Sequence, residues 1–393
     1  MKTSKIFSNI ERIFLIIIPF STLLKVFFHY KLDFWPLAYL TETLLAALCL
    51  LALPYIKAWK NKTLFYLSCA FVIYSLATLA FNPEYGLSFQ FLAMKNELYY
   101  YGLLVLALII PYKLNIKPFL QSFGVMLWIG FLIYLIDPSL FVEFGFRDDY
   151  STFYLNQAPA YCQRIEASPV CRFQGLLEGP NKIGVMILMY LFLAWKHYRK
   201  FTFNILLALV ALFLSYSRSS FLGLILGFLA YISMRYGKSA WDLLKIHVKK
   251  LLATGLALLA GIAINLDAIT KPASTLEHWV KWKEGWAVFL EAPWFGQGVG
   301  IAGPTSWSLA EPLIVESHFL AVLINTGILG FGLFIILYGY IVHKFYQQKQ
   351  FEMAALWIAM LIPLNLLHSY ESLAISSLLF WLTGRLLNND SSE

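Results

Sequence analysis

Two arginines and a histidine stand out because each borders a long apolar stretch. Arg218 begins the run "RSSFLGLILGFLAY", Arg172 lies shortly before the apolar stretch 183–195, and His318 opens "HFLAVLINTGILGFGLF". A charged group inside a bilayer is costly, so it normally faces protein or water and acts there. Guanidinium groups bind phosphate oxygens bidentately and keep their charge. An imidazole can take a proton from an attacking hydroxyl. The combination suits a site for a membrane-embedded diphosphate.

Further polar residues accompany these three and are candidate substrate ligands. They are Asn181, Glu316, His278, Lys281 and Lys283. Each candidate also has a simpler interpretation. The alternatives are that Arg218 snorkels to lipid headgroups, that Arg172 pairs with a carboxylate, and that His318 caps a helix. The lysines are individually more typical of a solvated face.

The composition predicts the elements that position these residues. Of 393 residues 60% are hydrophobic and 13% are charged, whereas an average soluble domain has about 25% charged residues. Apolar runs long enough to cross roughly 30 Å of hydrocarbon recur along the chain. We therefore expect an all-α, polytopic, single integral membrane domain over residues 1–393. Its predicted spans, about twelve, lie near 8–28, 35–56, 63–81, 96–112, 118–136, 178–195, 201–215, 219–234, 249–267, 317–341, 352–368 and 371–385.

The distribution of basic residues predicts the orientation. With a cytoplasmic N-terminus, 19 of the 30 lysines and arginines fall in short cytoplasmic segments. Cytoplasmic loops of membrane proteins carry an excess of lysine and arginine. Both termini are therefore expected in the cytoplasm, and the candidate residues on the outer side of the membrane. The net charge of +8 follows from this pattern. It indicates contact with membrane lipids and no binding of nucleic acid.

Two long outer loops, 137–177 and 268–316, interrupt the series of short connectors. Long loops in compact proteins are usually functional or disordered, and these two are rich in aromatic residues, Gly and Pro. We expect both to fold back over the outer face of the bundle. The tryptophans of the second loop either stack on sugar rings or form an interfacial belt. They are Trp279, Trp282, Trp294 and Trp307.

Two of the four cysteines, Cys162 and Cys171, lie in the first long loop. An oxidising compartment outside the membrane favours a disulfide between them, and two free thiols are the alternative. A zinc site is the least favoured interpretation because no C-x-x-C pair or His cluster accompanies them. The outer side also has no D-x-D pair or clustered acidic ligands. We therefore predict neither a metal site nor a cofactor.

Several short motifs resemble the O-antigen ligase and polymerase superfamily of bacterial inner-membrane glycosyltransferases. They are "EGPNKIGVMI", "SRSSFLG", "KWKEGWAVFLEAPWFGQGVG" and "ESHFLAVLINTGILGFGLF". Their order, spacing and side of the membrane agree with that superfamily over roughly residues 165–345. The first five spans agree only in hydropathy.

The resemblance implies a metal-independent, inverting, GT-C-like transferase of the bacterial inner membrane. Such an enzyme moves a glycan from undecaprenyl diphosphate, on the periplasmic side, to an acceptor. The acceptor is lipid A–core oligosaccharide in ligases and a lipid-linked glycan in polymerases. The family's diphosphate-binding arginines correspond to Arg172 or Arg218, and its histidine corresponds to His318. These three residues are the expected catalytic residues.

The sequence departs from the family at His278. The family commonly has an arginine at this position, roughly fifteen residues before the Pro of a P-x-x-G turn, here Pro293. A neutral histidine binds diphosphate less well unless an anion raises its pKa. Lys281 or Lys283 is the alternative ligand.

Three other functions remain open. A polymerase uses the same chemistry, and we favour a ligase because the length and the single dominant late loop suit it. A protein-directed oligosaccharyltransferase is less favoured because such proteins usually have a longer C-terminal region. A transporter of polyprenol-linked glycans is disfavoured because the spans carry few ionisable residues at mid-membrane depth.

Overall fold

The fold is a bundle of α-helices. The computed structural model describes residues 2–55, 61–81, 85–148, 157–164, 171–200, 202–237, 272–309, 311–366 and 372–388. Within those ranges the chain is helical apart from turns and isolated bridges, which agrees with the all-α prediction. The helices are α1 Lys2–Ile17, α2 Ser21–Lys25, α3 Trp35–Ala38, α4 Leu40–Ala52, α5 Lys62–Thr78, α6 Gly86–Ala93, α7 Tyr99–Leu108, α8 Lys117–Ile136, α9 Leu140–Glu143, α10 Pro180–Tyr198, α11 Phe203–Leu214, α12 Arg218–Tyr236, α13 Pro272–Glu291, α14 His318–Gln347, α15 Phe351–Leu366 and α16 Leu373–Asn388.

Among the described residues, five helical segments are long and apolar enough to cross a membrane by length and composition. They are Ser4–Lys31, Lys62–Phe81, Lys117–Ile136, Arg218–Tyr236 and His318–Gln347. Helices also occupy the other predicted spans within the described residues. The predicted ninth span, 249–267, lies outside the described residues. The count of twelve spans and the periplasmic placement of the loops stay predictions.

The second long loop contains a long helix. Its described part begins with a helix of 20 residues, α13, which packs on α14. Gly285 lies at this contact, because a Cβ there would be 3.1 Å from side-chain atoms of Leu320 and Val315. A helix in this position fixes the direction of its side chains, so the candidate residues of the loop have defined partners.

Helices α12 and α15 pack closely against each other. A Cβ on Gly223 would lie 2.7 Å from the carbonyl oxygen of Ala359, and one on Gly227 would lie 2.6 Å from the Cβ of Ala359. Small residues at such a contact let two backbones approach closely, which is common between membrane helices. This pairing fixes where α12 begins, and therefore where Arg218 lies.

The helices define two ends of the bundle. At one, called the Arg218 end, α10, α12 and α14 begin, and a hydrogen bond from Ser317 to Asn365 (3.2 Å) joins the start of α14 to the end of α15. At the other, called the Arg385 end, α10 and α12 finish and α15 begins. There Glu352 contacts Arg199 and lies 3.6 Å from Arg235.

A buried ion pair stabilises the Arg385 end. Arg385 is wholly buried, and its Nε donates to Oε1 of Glu11 over 2.7 Å. The same guanidinium donates to the carbonyls of Ile110 and Tyr112, at 3.1 and 2.7 Å, and Trp381 donates to Glu11. A buried charge persists only with such partners. This arrangement joins α1, α16 and the end of α7. The positive charge of Arg385 is therefore neutralised within the fold.

Candidate functional site

Arg172 is held in place by the first long loop. Cys162 and Cys171 form a disulfide with Cα atoms 5.3 Å apart, as the sequence predicted. The backbone N–H of Arg172 donates to the carbonyl of Gln163 (3.0 Å), and the next residue, Phe173, donates to the carbonyl of Leu214 (2.9 Å). The crosslink and these hydrogen bonds fix the loop against the end of α11.

The side chain of Arg172 reaches the turn between α11 and α12. Its Nε donates to the carbonyl of Ser215 over 3.0 Å, and its Nη2 donates to Oδ1 of Asn181 over 2.9 Å. A third, longer contact of 3.4 Å reaches the carbonyl of Tyr216. These partners are neutral. They orient the guanidinium, and none of them is a carboxylate that would neutralise its positive charge.

Arg218 is the electrostatic neighbour of Arg172. Burial first, and then the charge of Arg218, lower the pKa of Arg172 to about 10. The guanidinium still carries its proton at neutral pH, but two like charges lie close together. Such a pair is stabilised by an anion placed between its members. The residues are 46 positions apart in the chain, and the structure places them within electrostatic range of each other.

The turn before Arg218 is shaped by its backbone. Tyr216 adopts a left-handed conformation with φ of 50°, which is uncommon for a residue other than glycine. Gly184 on α10 lies directly against this turn. A Cβ there would be 2.7 Å from the Cβ of Ser217 and 2.7 Å from the Oγ of Ser220. The absent side chain lets α10, which carries Asn181, approach the start of α12.

The candidate ligands of the second loop form a separate cluster around Glu316. Lys281 Nζ lies 2.7 Å from Oε1 of Glu316, and His278 contacts Oε2 of the same carboxylate. Lys281 also lies 2.9 Å from Glu277, one helical turn earlier. Two of the three cations that the sequence suggested for diphosphate binding therefore join α13 to the residues preceding α14.

The cluster keeps Glu316 ionised. Burial favours the neutral acid, but the contacts with His278 and Lys281 outweigh it and lower the pKa of Glu316 to about 2. Burial likewise disfavours the ammonium of Lys281, and its two carboxylate partners reverse this and raise its pKa. The anion that accompanies His278 is thus supplied by the protein itself.

The third cation, Lys283, lies elsewhere on α13. Its Nζ is 5.7 Å from the ring centroid of Trp279, a cation–π contact on the surface. Trp279 and Trp294 are exposed by 57% and 62%. These rings are accessible for stacking on a sugar or for contact with lipid.

His318 is the first residue of α14 and is buried, with 1% of its surface exposed. The helix is capped by the preceding Ser317, whose Oγ accepts from the N–H of Leu320 (3.2 Å). The imidazole packs edge-on against Phe334, with ring centroids 5.7 Å apart. His318 lines a small cavity whose lining includes neither arginine.

The cavity also contains a carboxylate that was not among the candidate site residues of the sequence. Glu97 is only 6% exposed and lines the same space as His318. The only signal for Glu97 in the sequence is its position in an apolar stretch near the start of a predicted span. No spacing related it to His318, which lies 221 residues further along the chain.

A break in α14 completes the wall of this cavity. Gly327 has φ of 65°, so its helix is interrupted there. The backbone of the P-x-x-G segment, 293–298, supplies the missing hydrogen bonds. They run from Ile328 to Pro293 (2.8 Å), from Gln297 to Ile324 (2.7 Å) and from Gly298 to Asn325 (3.0 Å). Polar backbone within a membrane span is tolerated only when it is satisfied in this way.

The described residues therefore form two groups at the Arg218 end. One contains Arg172, Asn181 and Arg218, and the other contains His318 with Glu97. The Glu316 cluster lies next to His318 in the chain. Among the described residues, no group of three or more His, Cys, Asp or Glu side chains is arranged to hold a metal ion.

Comparison with known proteins addresses the second half of the chain. Residues 203–335 match the family model described as O-antigen ligase. The matched segment includes Arg218, His278 and His318, and it ends within α14. A search of curated proteins finds no match. Residues 203–335 are thus similar to the O-antigen ligase family, which supports the resemblance to the O-antigen ligase and polymerase superfamily seen in the motifs.

Proposed function

We propose that this protein is an O-antigen ligase. It transfers a glycan from undecaprenyl diphosphate to lipid A–core oligosaccharide at the periplasmic face of the bacterial inner membrane. The family match supports a glycosyltransferase-like membrane enzyme that uses lipid-linked glycans. The donor, the acceptor and the side of the membrane belong to the proposal. So does the independence from metal ions.

The pairing of Arg172 with Arg218 is the observation that carries the proposal. Asn181 and two backbone carbonyls orient Arg172, and burial together with the second guanidinium lowers its pKa. Two adjacent fixed cations match a diphosphate, whose oxygens accept several charge-assisted hydrogen bonds. Negative charge on the diphosphate increases as the sugar–phosphate bond breaks. Preorganised cations stabilise that transition state.

His318 supplies the other half of the reaction. Its imidazole takes the proton of the acceptor hydroxyl while the oxygen forms a bond to the anomeric carbon of the donor sugar. The bond between that carbon and the phosphate oxygen breaks, and the diphosphate leaves with the electron pair. The substrates must reach a buried histidine, so the cavity is expected to open towards the arginines when they bind.

A polymerase is the second candidate, and the family match favours it equally because it describes chemistry common to both enzymes. The two differ only in the acceptor. A ligase transfers the glycan to lipid A–core, whereas a polymerase lengthens the glycan on its own polyprenyl carrier.

The test is transfer by purified protein in proteoliposomes, with a polyprenyl-diphosphate glycan, lipid A–core and EDTA. We expect glycosylated lipid A–core from the wild type and at least about 100-fold less from Arg218→Ala and His318→Ala. Arg235→Ala is the matched control because Arg235 is at the opposite end of α12. A lengthened donor alone would indicate a polymerase. No transfer under any condition would contradict an enzyme and favour a transporter.

A further inference from the structure

Glu97 lies in an unusual turn of the first half of the chain. Residues Met94–Leu98 form a π-helical turn between α6 and α7. Such turns are rare, and they frequently occur at functional sites because they redirect side chains. Here the turn directs a carboxylate into the protein, where only 6% of Glu97 is exposed.

Glu97 lies at the opposite end of the bundle from the other buried carboxylates of the described residues. Glu11 and Glu352 are at the Arg385 end, and each contacts an arginine. Glu97 is at the Arg218 end and lines one cavity with His318, Tyr101 and Asn325. A carboxylate and an imidazole that border the same small space can exchange a hydrogen bond directly or through water.

The second long loop helps to position this carboxylate. Thr305, wholly buried in the short helical turn Pro304–Ser308, donates its hydroxyl to Oε1 of Glu97 over 3.4 Å. Asn96 donates to the same hydroxyl oxygen, also over 3.4 Å. The loop that contains the family motif thus contacts the turn that carries Glu97. Two segments about 200 residues apart in the chain meet beside His318.

We infer that Glu97 is the positioning residue of His318, an inference that rests on the proposed function. Its carboxylate fixes the orientation of the imidazole and stabilises the imidazolium that forms during transfer. The proton moves from the acceptor hydroxyl to His318 and remains there, while Glu97 stays ionised. A carboxylate that orients a catalytic histidine in this way is a general arrangement in enzymes.

The substitution Glu97→Gln tests this role because it keeps the shape and removes the charge. We expect kcat to fall about 10- to 100-fold with KM within about twofold of wild type. Glu97→Asp should recover part of the rate. Glu352→Gln is the matched control, because it also neutralises a buried glutamate, but at the Arg385 end. Its rate per folded molecule should equal that of wild type. An unchanged kcat in Glu97→Gln would overturn the inference.

The protonation of His318 provides a second readout that does not depend on activity. We would titrate ¹⁵N-histidine-labelled protein by NMR and assign His318 with the variant His318→Asn. The titratable groups near His318 are Glu97, Tyr100 and Tyr101 in the cavity and the Glu316 cluster preceding α14. Of these only Glu97 is changed, so we expect the titration of His318 to shift to lower pH in Glu97→Gln. An unshifted titration would overturn the inference.

The two readouts distinguish this inference from the proposed function. If the wild type transfers glycan and Glu97→Gln changes neither kcat nor the titration, only the role of Glu97 is wrong. If the wild type transfers nothing while the titration shifts, the contact between Glu97 and His318 is supported and the proposed function fails.

Discussion

Arg172 illustrates how neutral hydrogen-bond partners orient a buried cation. The neutral partners of Arg172, among them Asn181, fix its direction without cancelling its charge. At the Arg385 end, by contrast, the carboxylate of Glu11 neutralises the charge of Arg385. The partners of Arg172 thus leave its charge for a ligand, as proposed above, whereas the charge of Arg385 stabilises the fold.

Glu316 gives a prediction at the residue scale. Its pKa of about 2 lies below the ordinary 4.5, so it stabilises the fold fully above pH 4.5 and loses this effect as the pH falls towards 2. Because the carboxylate is partly exposed, we expect Glu316→Gln to lower the protection of α13 amides from hydrogen exchange by about 1–2 kcal/mol at pH 7.

Glu284→Gln is the control for that measurement, because Glu284 is an exposed carboxylate on the same helix. Its exchange should match that of wild type. The interpretation of the Glu316 cluster is wrong if Glu316→Gln leaves α13 equally protected at pH 7, or weakens it only below pH 4.5.

At the element scale, the approach of α10 to the start of α12 positions the arginine pair. We predict that Gly184→Ala separates these helices, since the new Cβ meets Ser217 and Ser220 at 2.7 Å. Overpacking of this kind costs about 1–3 kcal/mol, and here it also displaces Arg218. Transfer activity per folded molecule should therefore fall, while thermal unfolding in detergent shifts to lower temperature.

Gly102→Ala is the matched helical control, because no atom lies within 4 Å of its new Cβ. This variant should keep full activity. Equal activity of Gly184→Ala and wild type would show that the spacing of α10 and α12 does not position the site.

The elements around the site also show what the sequence could and could not predict. Hydropathy located the turn before Arg218, because a short polar interruption between two apolar runs is a local signal. The helical form of α13 and the break at Gly327 depend on contacts between the loop and α14. Glu97 was not among the candidate site residues because its proximity to His318 follows from packing, which a single sequence does not contain.

At the scale of the whole molecule, the two ends carry different chemistry. The Arg385 end contains paired charges and basic connectors, and the Arg218 end contains the disulfide, the arginine pair and the cavity. The positive-inside rule predicts that the Arg385 end is cytoplasmic. A disulfide is stable in the periplasm, which agrees with that orientation.

Cysteine labelling in intact cells tests this orientation. In a background with Cys49→Ala and Cys69→Ala, we expect Glu291→Cys, at the end of α13, to react with a maleimide that reaches the periplasm but does not cross the inner membrane. Lys200→Cys, just after α10, should react only after lysis. Both positions are exposed in the structure. The reverse pattern would place the arginine pair in the cytoplasm and contradict the proposed orientation.

The most direct test of the central claim is the affinity of the protein in lipid nanodiscs for undecaprenyl diphosphate, measured by calorimetry. Hydrogen bonds to charged groups contribute about 1.5–3 kcal/mol each, so Arg172→Gln and Arg218→Gln should each weaken binding about 10- to 100-fold. Arg235→Gln should leave it unchanged. The monophosphate should bind more weakly than the diphosphate and lose less affinity on either substitution. Wild-type affinity for the diphosphate in both folded variants would contradict the claim that this pair binds the donor.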